Sequence, residues 1–397
     1  QSAISGSPSI HIRQRGDGRG ASDDAPDEIE QAHGGGDAGL FGWFRQLLPQ
    51  RRGRLSADGS GEIDLPQNNL PPLIRVHETM PVQQELAQAN ETYNKAKQFL
   101  QKTVHDIKVG KGIEIEAVES VVVDLVDSIL RNPSALQLLS RLRETDSSAY
   151  DHALQIGVLL VSFGRELGFG RSELEQLGQV GLLFDIGKLR IDEALLTKRG
   201  TLTPEEFDEV KRHVQYSLEM ISEAGNISAP VMTAVAQHHE RLNGSGYPKG
   251  LHGASIGAFG RMAGIVDCFA ALTSPRPYAE TVSAYDAMRM LQKWGDTYFN
   301  AGMVEQFIQA IGIFPVGTLV ELSTGEAAVI IEQHRAHRLK PKVLIISDRA
   351  RNPLSVPITL DLLYGTGSLD GTPPYIRRGL PAESVGTHSA EFYLSHV

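Results

Sequence analysis

The chain has 397 residues, enough for more than one compact unit, and 41% of them are hydrophobic, which is ample for a buried core. Its formal charge of −10 argues against a nucleic-acid backbone as partner, because binding phosphates by counterion release needs basic stripes. The one cysteine, Cys268, cannot close an internal disulfide, which fits a reducing, cytoplasmic compartment. No apolar run approaches the length of a membrane span. The first residue is Gln1 rather than Met, as in a processed or partial chain.

Residues 1–70 are rich in Gly, Ser, Asp and Gln without periodicity and read as a disordered leader. Within it, Leu40-Phe41-Gly42-Trp43-Phe44-Arg45-Gln46-Leu47-Leu48 is either a short amphipathic anchor or an apolar patch in a loose tail. Residues 71–145 read as an N-terminal helical regulatory region. A helix begins near Val82 and carries Val82, Leu86, Ala89, Tyr93, Ala96, Leu100, Val104 and Ile107 at alternating steps of four and three. That seam of about three heptads has two candidate partners. One is a second copy, giving a homodimer through residues 82–107; the other is the next helix of the same chain, Ile115 to Leu130.

Residues 146–314 form a string of amphipathic helices. His152, Ile156, Leu159 and Phe163 share one stripe. Thr203-Pro204-Glu205-Glu206 is a capping box with proline at the first helical position. The helix it opens is expected to run through Phe207, Val210, Val214, Leu218 and Ile221, with His213 on the same side. A later helix presents Val231, Val235, His238 or His239, and Leu242, and a further one runs from Ile256 to Asp267. After Phe314 short β-rich runs appear at 318–322, 327–332 and 343–347, with a hairpin turn at 323–326. Residues 315–364 are expected to form a small β subdomain and 365–397 a flexible tail. The fold class is therefore mainly α, with a small C-terminal β subdomain.

Of the 13 histidines, His152, His213, His238 and His239 fall on or beside inward helical stripes. Asp185 and Asp267 lie in apolar surroundings, where a carboxylate must find a cation. A single such histidine reads best as a hydrogen-bonded core residue. Four of them with two acidic groups in one bundle point to a metal centre. The stretch His238-His239-Glu240 delivers imidazoles and a carboxylate together, and a glycine-rich turn then closes on Gly246-Tyr247-Pro248.

These residues resemble the signature of the HD-GYP family, metal-dependent phosphodiesterases of cyclic di-GMP, over residues 145–315. The resemblance implies an HD-type helical bundle holding one or two divalent transition metals, Fe or Mn foremost, with Zn or Ni also acceptable to such ligands. It assigns His152, Asp185 and Asp267 to a first metal and Asp185, His213, His238 and His239 to a second. The metals would acidify a bridging water for attack on phosphorus. Asp185 and Lys188 are thereby the catalytic pair, and Lys188 and Arg276 would bind substrate phosphate. Gly246, Tyr247 and Pro248 resemble the surface that meets diguanylate cyclase (GGDEF) partners; the competing reading is that they lock the loop.

Three positions depart from the family pattern. Phe184 stands where the first metal's histidine belongs, Ser148 where three-metal members carry glutamate, and Ala279 where a second phosphate-binding cation is usual. The expected function is hydrolysis of cyclic di-GMP to pGpG or GMP with weakened activity. The alternative is a catalytically impaired module that binds cyclic di-GMP or a GGDEF protein as a signalling adaptor.

Overall fold

Alternating steps of four and three in the apolar seam build the first helix, α1 (Val82–Lys108), of a computed structural model that describes residues 78–143, 149–198, 200–274, 281–334, 337–365 and 374–384. The leader 1–70 with its 40–48 stretch, Ser148, Arg276 and Ala279 lie outside the described residues. Val82, Leu86, Ala89, Tyr93, Ala96 and Leu100 of the seam are buried. They pack on α2 (Ile115–Arg131) and α3 (Pro133–Leu142) of the same chain. The face expected to offer a homodimer contact is thus filled by the chain's own helices, because α2 carries a complementary stripe of Val118, Val122, Leu125 and Ile129. Glu85 is fully buried in this seam, where Arg131 Nε donates to it at 2.7 Å and Ser128 Oγ at 2.7 Å.

The bundle continues with α4 (Ala149–Glu166) and α5 (Arg171–Leu183), packed against each other. A 3₁₀ turn, Ile186–Arg190, and a single-turn α6 (Glu193–Leu196) follow. The expected capping box starts α7 (Pro204–Lys211): Thr203 Oγ1 accepts from the Glu206 N–H at 3.2 Å, and Glu206 returns an acceptor to the Thr203 N–H at 2.7 Å. The helix expected to run on through Ile221 instead breaks at Arg212, and α8 (His213–Ala224) starts afresh. The Arg212 N–H reaches back to Glu209 O at 3.1 Å, a tightened turn that interrupts the regular ladder. Then come α9 (Ala229–Gln237), α10 (Ala258–Thr273), α11 (Ala284–Lys293) and α12 (Ala301–Ile311). Phe163 of α4, Phe269 of α10 and Phe307 of α12 meet edge to face, with Phe307 5.3 Å from Phe163 and 5.4 Å from Phe269.

The C-terminal part is a five-stranded antiparallel sheet of order β4-β3-β2-β1-β5. Its strands are β1 (Leu319–Leu322), β2 (Ala327–Glu332), β3 (Lys342–Ser347), β4 (Pro353–Asp361) and β5 (Ile376–Leu380). The fifth strand lies in the segment expected to be a flexible tail, so that expectation fails for 376–380. It pairs with β1, Leu380 opposite Leu319, and its arginines close on the buried Glu321: Arg377 at 3.1 Å and Arg378 at 2.8 Å. Among the described residues no helix is long and apolar enough to cross a membrane.

Candidate metal centre

Five elements deliver the polar groups expected to share a site. His152 comes from the first turns of α4, Asp185 from the end of α5, His213 from the start of α8, His238 and His239 from the end of α9, and Asp267 from α10. Ser217, one turn into α8, fixes the Asp185 segment from both sides. Its hydroxyl donates to Phe184 O at 2.8 Å and accepts from the Gly187 N–H at 2.8 Å. The approach is so close that a Cβ on Gly187 would stand 2.1 Å from His213 O. Glycine is required there because the 3₁₀ turn and α8 touch backbone to backbone.

Two imidazoles are set up as donors of lone pairs. His213 Nδ1 lies 2.7 Å from Val210 O and His238 Nδ1 lies 2.7 Å from Val235 O. A carbonyl can only accept, so each Nδ1 carries the proton and each neutral ring leaves Nε2 bare. Burial keeps the rings neutral: it drives His213 down to about 3 and lowers His238 and His239 as well. The two bare Nε2 atoms face each other at 3.4 Å. They stand 3.3 Å (His213) and 3.9 Å (His238) from Asp185 Oδ1, a buried oxygen that accepts no hydrogen bond from the described residues. Acceptors gathered without a donor are unfavourable unless a cation sits among them. With His239, these residues present ligand atoms all within 4.8 Å of one another. Three imidazoles and one carboxylate suit a divalent transition ion.

His152, Asp185 and Asp267 form a second group within the same span. Its members already have partners. His152 Nε2 lies 3.6 Å from Asp267 Oδ1 and 4.0 Å from Asp185 Oδ2, and Lys188 Nζ holds that same Oδ2 at 2.5 Å. Burial works against the charge of Asp185, but the Lys188 ammonium together with the surrounding His213, His238 and His152 outweighs it and holds the carboxyl far below its usual range. Burial likewise opposes ionisation of Asp267, and the neighbouring His152 tips the balance so that the carboxyl is lowered. The Phe184 ring is fully buried, edge-on to His238 at 4.7 Å and 6.5 Å from His152. It brings carbon, not a ligand atom, to this side of the centre.

The loop after the imidazole pair behaves differently from its sequence reading. Glu240, which stood as a carboxylate beside the ligands, turns to the loop and accepts the N–H groups of Lys249 and Leu251, each at 2.8 Å. A Cβ on Gly246 would lie 2.4 Å from His239 O, so the turn can press onto the imidazole pair only with glycine there. Tyr247, expected at a partner surface, is 7% exposed and stacks on His239 with ring centroids 4.6 Å apart. The ring is turned inward by this stacking, and Pro248 is the exposed member of the trio. Sequence reasoning missed Ser217, the Val210 and Val235 carbonyls and the Glu240 clamp. All four act through backbone groups, which leave no residue-type pattern.

The fold and this polar centre define an HD-domain protein, and a family model described as "HD domain" matches residues 132–302. Cyclic di-GMP phosphodiesterase PA4108 of Pseudomonas aeruginosa is 33% identical over 289 residues, covering 73% of this chain and 69% of that protein. A cyclic di-GMP phosphodiesterase of Thermotoga maritima is 31% identical over 44% of this chain and 48% of its own length. The 3′3′-cGAMP-specific phosphodiesterase 1 of Vibrio cholerae is 36% identical over 36% of this chain and 33% of its own length. The chain belongs to the HD-GYP family of HD-domain proteins.

Proposed function

We infer that this chain is a metal-dependent phosphodiesterase of the HD-GYP type that hydrolyses cyclic di-GMP to pGpG or GMP, at a rate below that of a complete two-metal site. One observation carries the reading: the bare Nε2 atoms of His213 and His238 converge on the unpartnered Asp185 Oδ1. Support comes from a relative, named as a cyclic di-GMP phosphodiesterase, that aligns with 73% of the chain.

Asp185, His213, His238 and His239 would hold Fe or Mn, with Zn or Ni accepted by the same donors. When bound, such an ion supplies Lewis acidity, neutralising phosphoryl charge and making a nucleophile available from water at neutral pH. The chain's own groups prepare that chemistry. The Val210 and Val235 carbonyls fix the tautomer and aim of two rings, and Ser217 holds the Asp185 segment. Lys188 is 24% exposed and its ammonium faces the centre, where it would meet a phosphate oxygen, with Arg276 as the second cation for substrate. Pro248 is the part of the turn open to a GGDEF partner, and the cytoplasm is the compartment that suits a cyclic dinucleotide and a lone buried thiol.

Purified full-length protein with added Mn²⁺ or Fe²⁺ should convert cyclic di-GMP, and Asp185→Ala should abolish conversion; 3′3′-cGAMP run in parallel identifies the preferred dinucleotide. Phe184 favours a second reading, an adaptor that binds nucleotide without hydrolysis. Tight binding with no turnover in the presence of metal would select it.

A further inference from the structure

We propose that Lys188 is a built-in cation: its ammonium holds the position at Asp185 Oδ2 that a first metal would otherwise use, so the centre takes one divalent ion rather than two. This rests on reading Asp185, His213, His238 and His239 as a metal site, and not on hydrolysis of any nucleotide.

The two oxygens of Asp185 face different company. Oδ1 points to His213 and His238 and accepts no hydrogen bond, whereas Oδ2 lies 2.5 Å from Lys188 Nζ on the side of His152. Lys188 is tethered three residues away by the 3₁₀ turn, whose Lys188 N–H bonds Asp185 O at 3.0 Å, so the ammonium is held at high local concentration beside the carboxylate. An incoming ion must displace it. The rest of that side offers little to pay for the displacement. Phe184 contributes a buried hydrocarbon ring, and His152 Nε2 already lies 3.6 Å from Asp267 Oδ1. On the other side of Asp185 the Nε2 atoms of His213 and His238 face Oδ1, which accepts no hydrogen bond from the described residues. One ion together with Lys188, set against Asp185 and Asp267, leaves a modest positive charge suited to a phosphodiester; a second ion added to Lys188 would leave a much larger excess.

The test is a Mn²⁺ titration of chelator-stripped full-length protein, followed by calorimetry and electron paramagnetic resonance. Wild type should take one equivalent and give the spectrum of isolated Mn²⁺. Lys188→Met should admit a second equivalent at least ~10-fold more tightly than wild type does, about 1.4 kcal/mol, with spin coupling between two neighbouring ions. Lys188→Arg, which keeps the charge, should remain at one. A wild type that takes two coupled ions, or a Lys188→Met protein that stays at one, would overturn the proposal. Failure of every variant to take any ion would overturn it together with the metal reading, whereas absence of nucleotide turnover leaves the stoichiometry measurement intact.

Discussion

Glu240 receives the backbone N–H of Lys249 at 2.8 Å and so lies across the base of the turn that carries Tyr247. Its second oxygen takes the N–H of Leu251, and the residue is 4% exposed. Glu240→Ala leaves the part-buried N–H groups of Lys249 and Leu251 without this acceptor, at about 1.5–3 kcal/mol for each charge-assisted bond, discounted by any water that enters. The expected result is a clear loss of thermal stability with metal content unchanged. A fall in metal content equal to that of His239→Ala would instead make Glu240 a ligand.

The convergence of His213, His238 and Asp185 on one point predicts that metal and fold are linked. An ion that binds only the folded chain at a concentration 100-fold above its Kd adds about 2.7 kcal/mol. For a domain of this size that is a rise in Tm of roughly 5–10 °C. Mn²⁺ should produce such a rise in wild type and none in His213→Ala, as read by differential scanning calorimetry. An equal rise in both proteins would place the stabilising ion elsewhere.

Burial sets the sign of the pH response. His213 ionises near its ordinary 6.5 in the unfolded chain and at about 3 in the folded one. Between those values the unfolded state binds a proton that the folded state refuses, so stability is complete above about pH 6.5 and falls as pH drops toward 3. His238 and His239 are shifted in the same direction and add to the slope. Because the rings are already neutral when folded, an ion displaces no proton from them. Mn²⁺ affinity should therefore be nearly flat from about pH 8 to 5.5, where a site of exposed histidines would weaken steeply. A ten-fold loss per unit across that range would show that the rings protonate before the ion binds.

What could be read from the chain was local or chemical. The capping box at Thr203 needed only residues three apart, and the histidines and Asp185 were marked by being polar on apolar stripes. The break at Arg212 was invisible because both halves keep the same helical spacing of apolar residues. β5 was missed because Ile376-Arg377-Arg378-Gly379-Leu380 looks polar until Glu321 of β1 is known to lie beneath its arginines. The inward turn of Tyr247 depends on stacking against His239, a contact made through the fold of the loop and not through sequence spacing.

Ser217 gives the sharpest test of how the centre is held, because its hydroxyl bonds to backbone groups and not to a ligand side chain. Its hydroxyl bridges Phe184 O and the Gly187 N–H, the two backbone groups that flank Asp185 and Ile186, and it is fully buried. Ser217→Ala removes both bonds and leaves those groups without a partner, at about 1–3 kcal/mol. The loss should appear more strongly in metal binding than in folding, since the freed segment lets Asp185 Oδ1 drift from the lone pairs of His213 and His238. Supporting groups of this kind are worth about 10–100-fold in metal affinity when removed. Ser217→Thr keeps the hydroxyl but crowds the contact where Gly187 meets α8, so it should fold less well yet bind metal better than Ser217→Ala once folded. Calorimetric Mn²⁺ titration of the three proteins checks the order. If Ser217→Ala binds Mn²⁺ as tightly as wild type, Asp185 is held by its own ion pair with Lys188 and not by the serine.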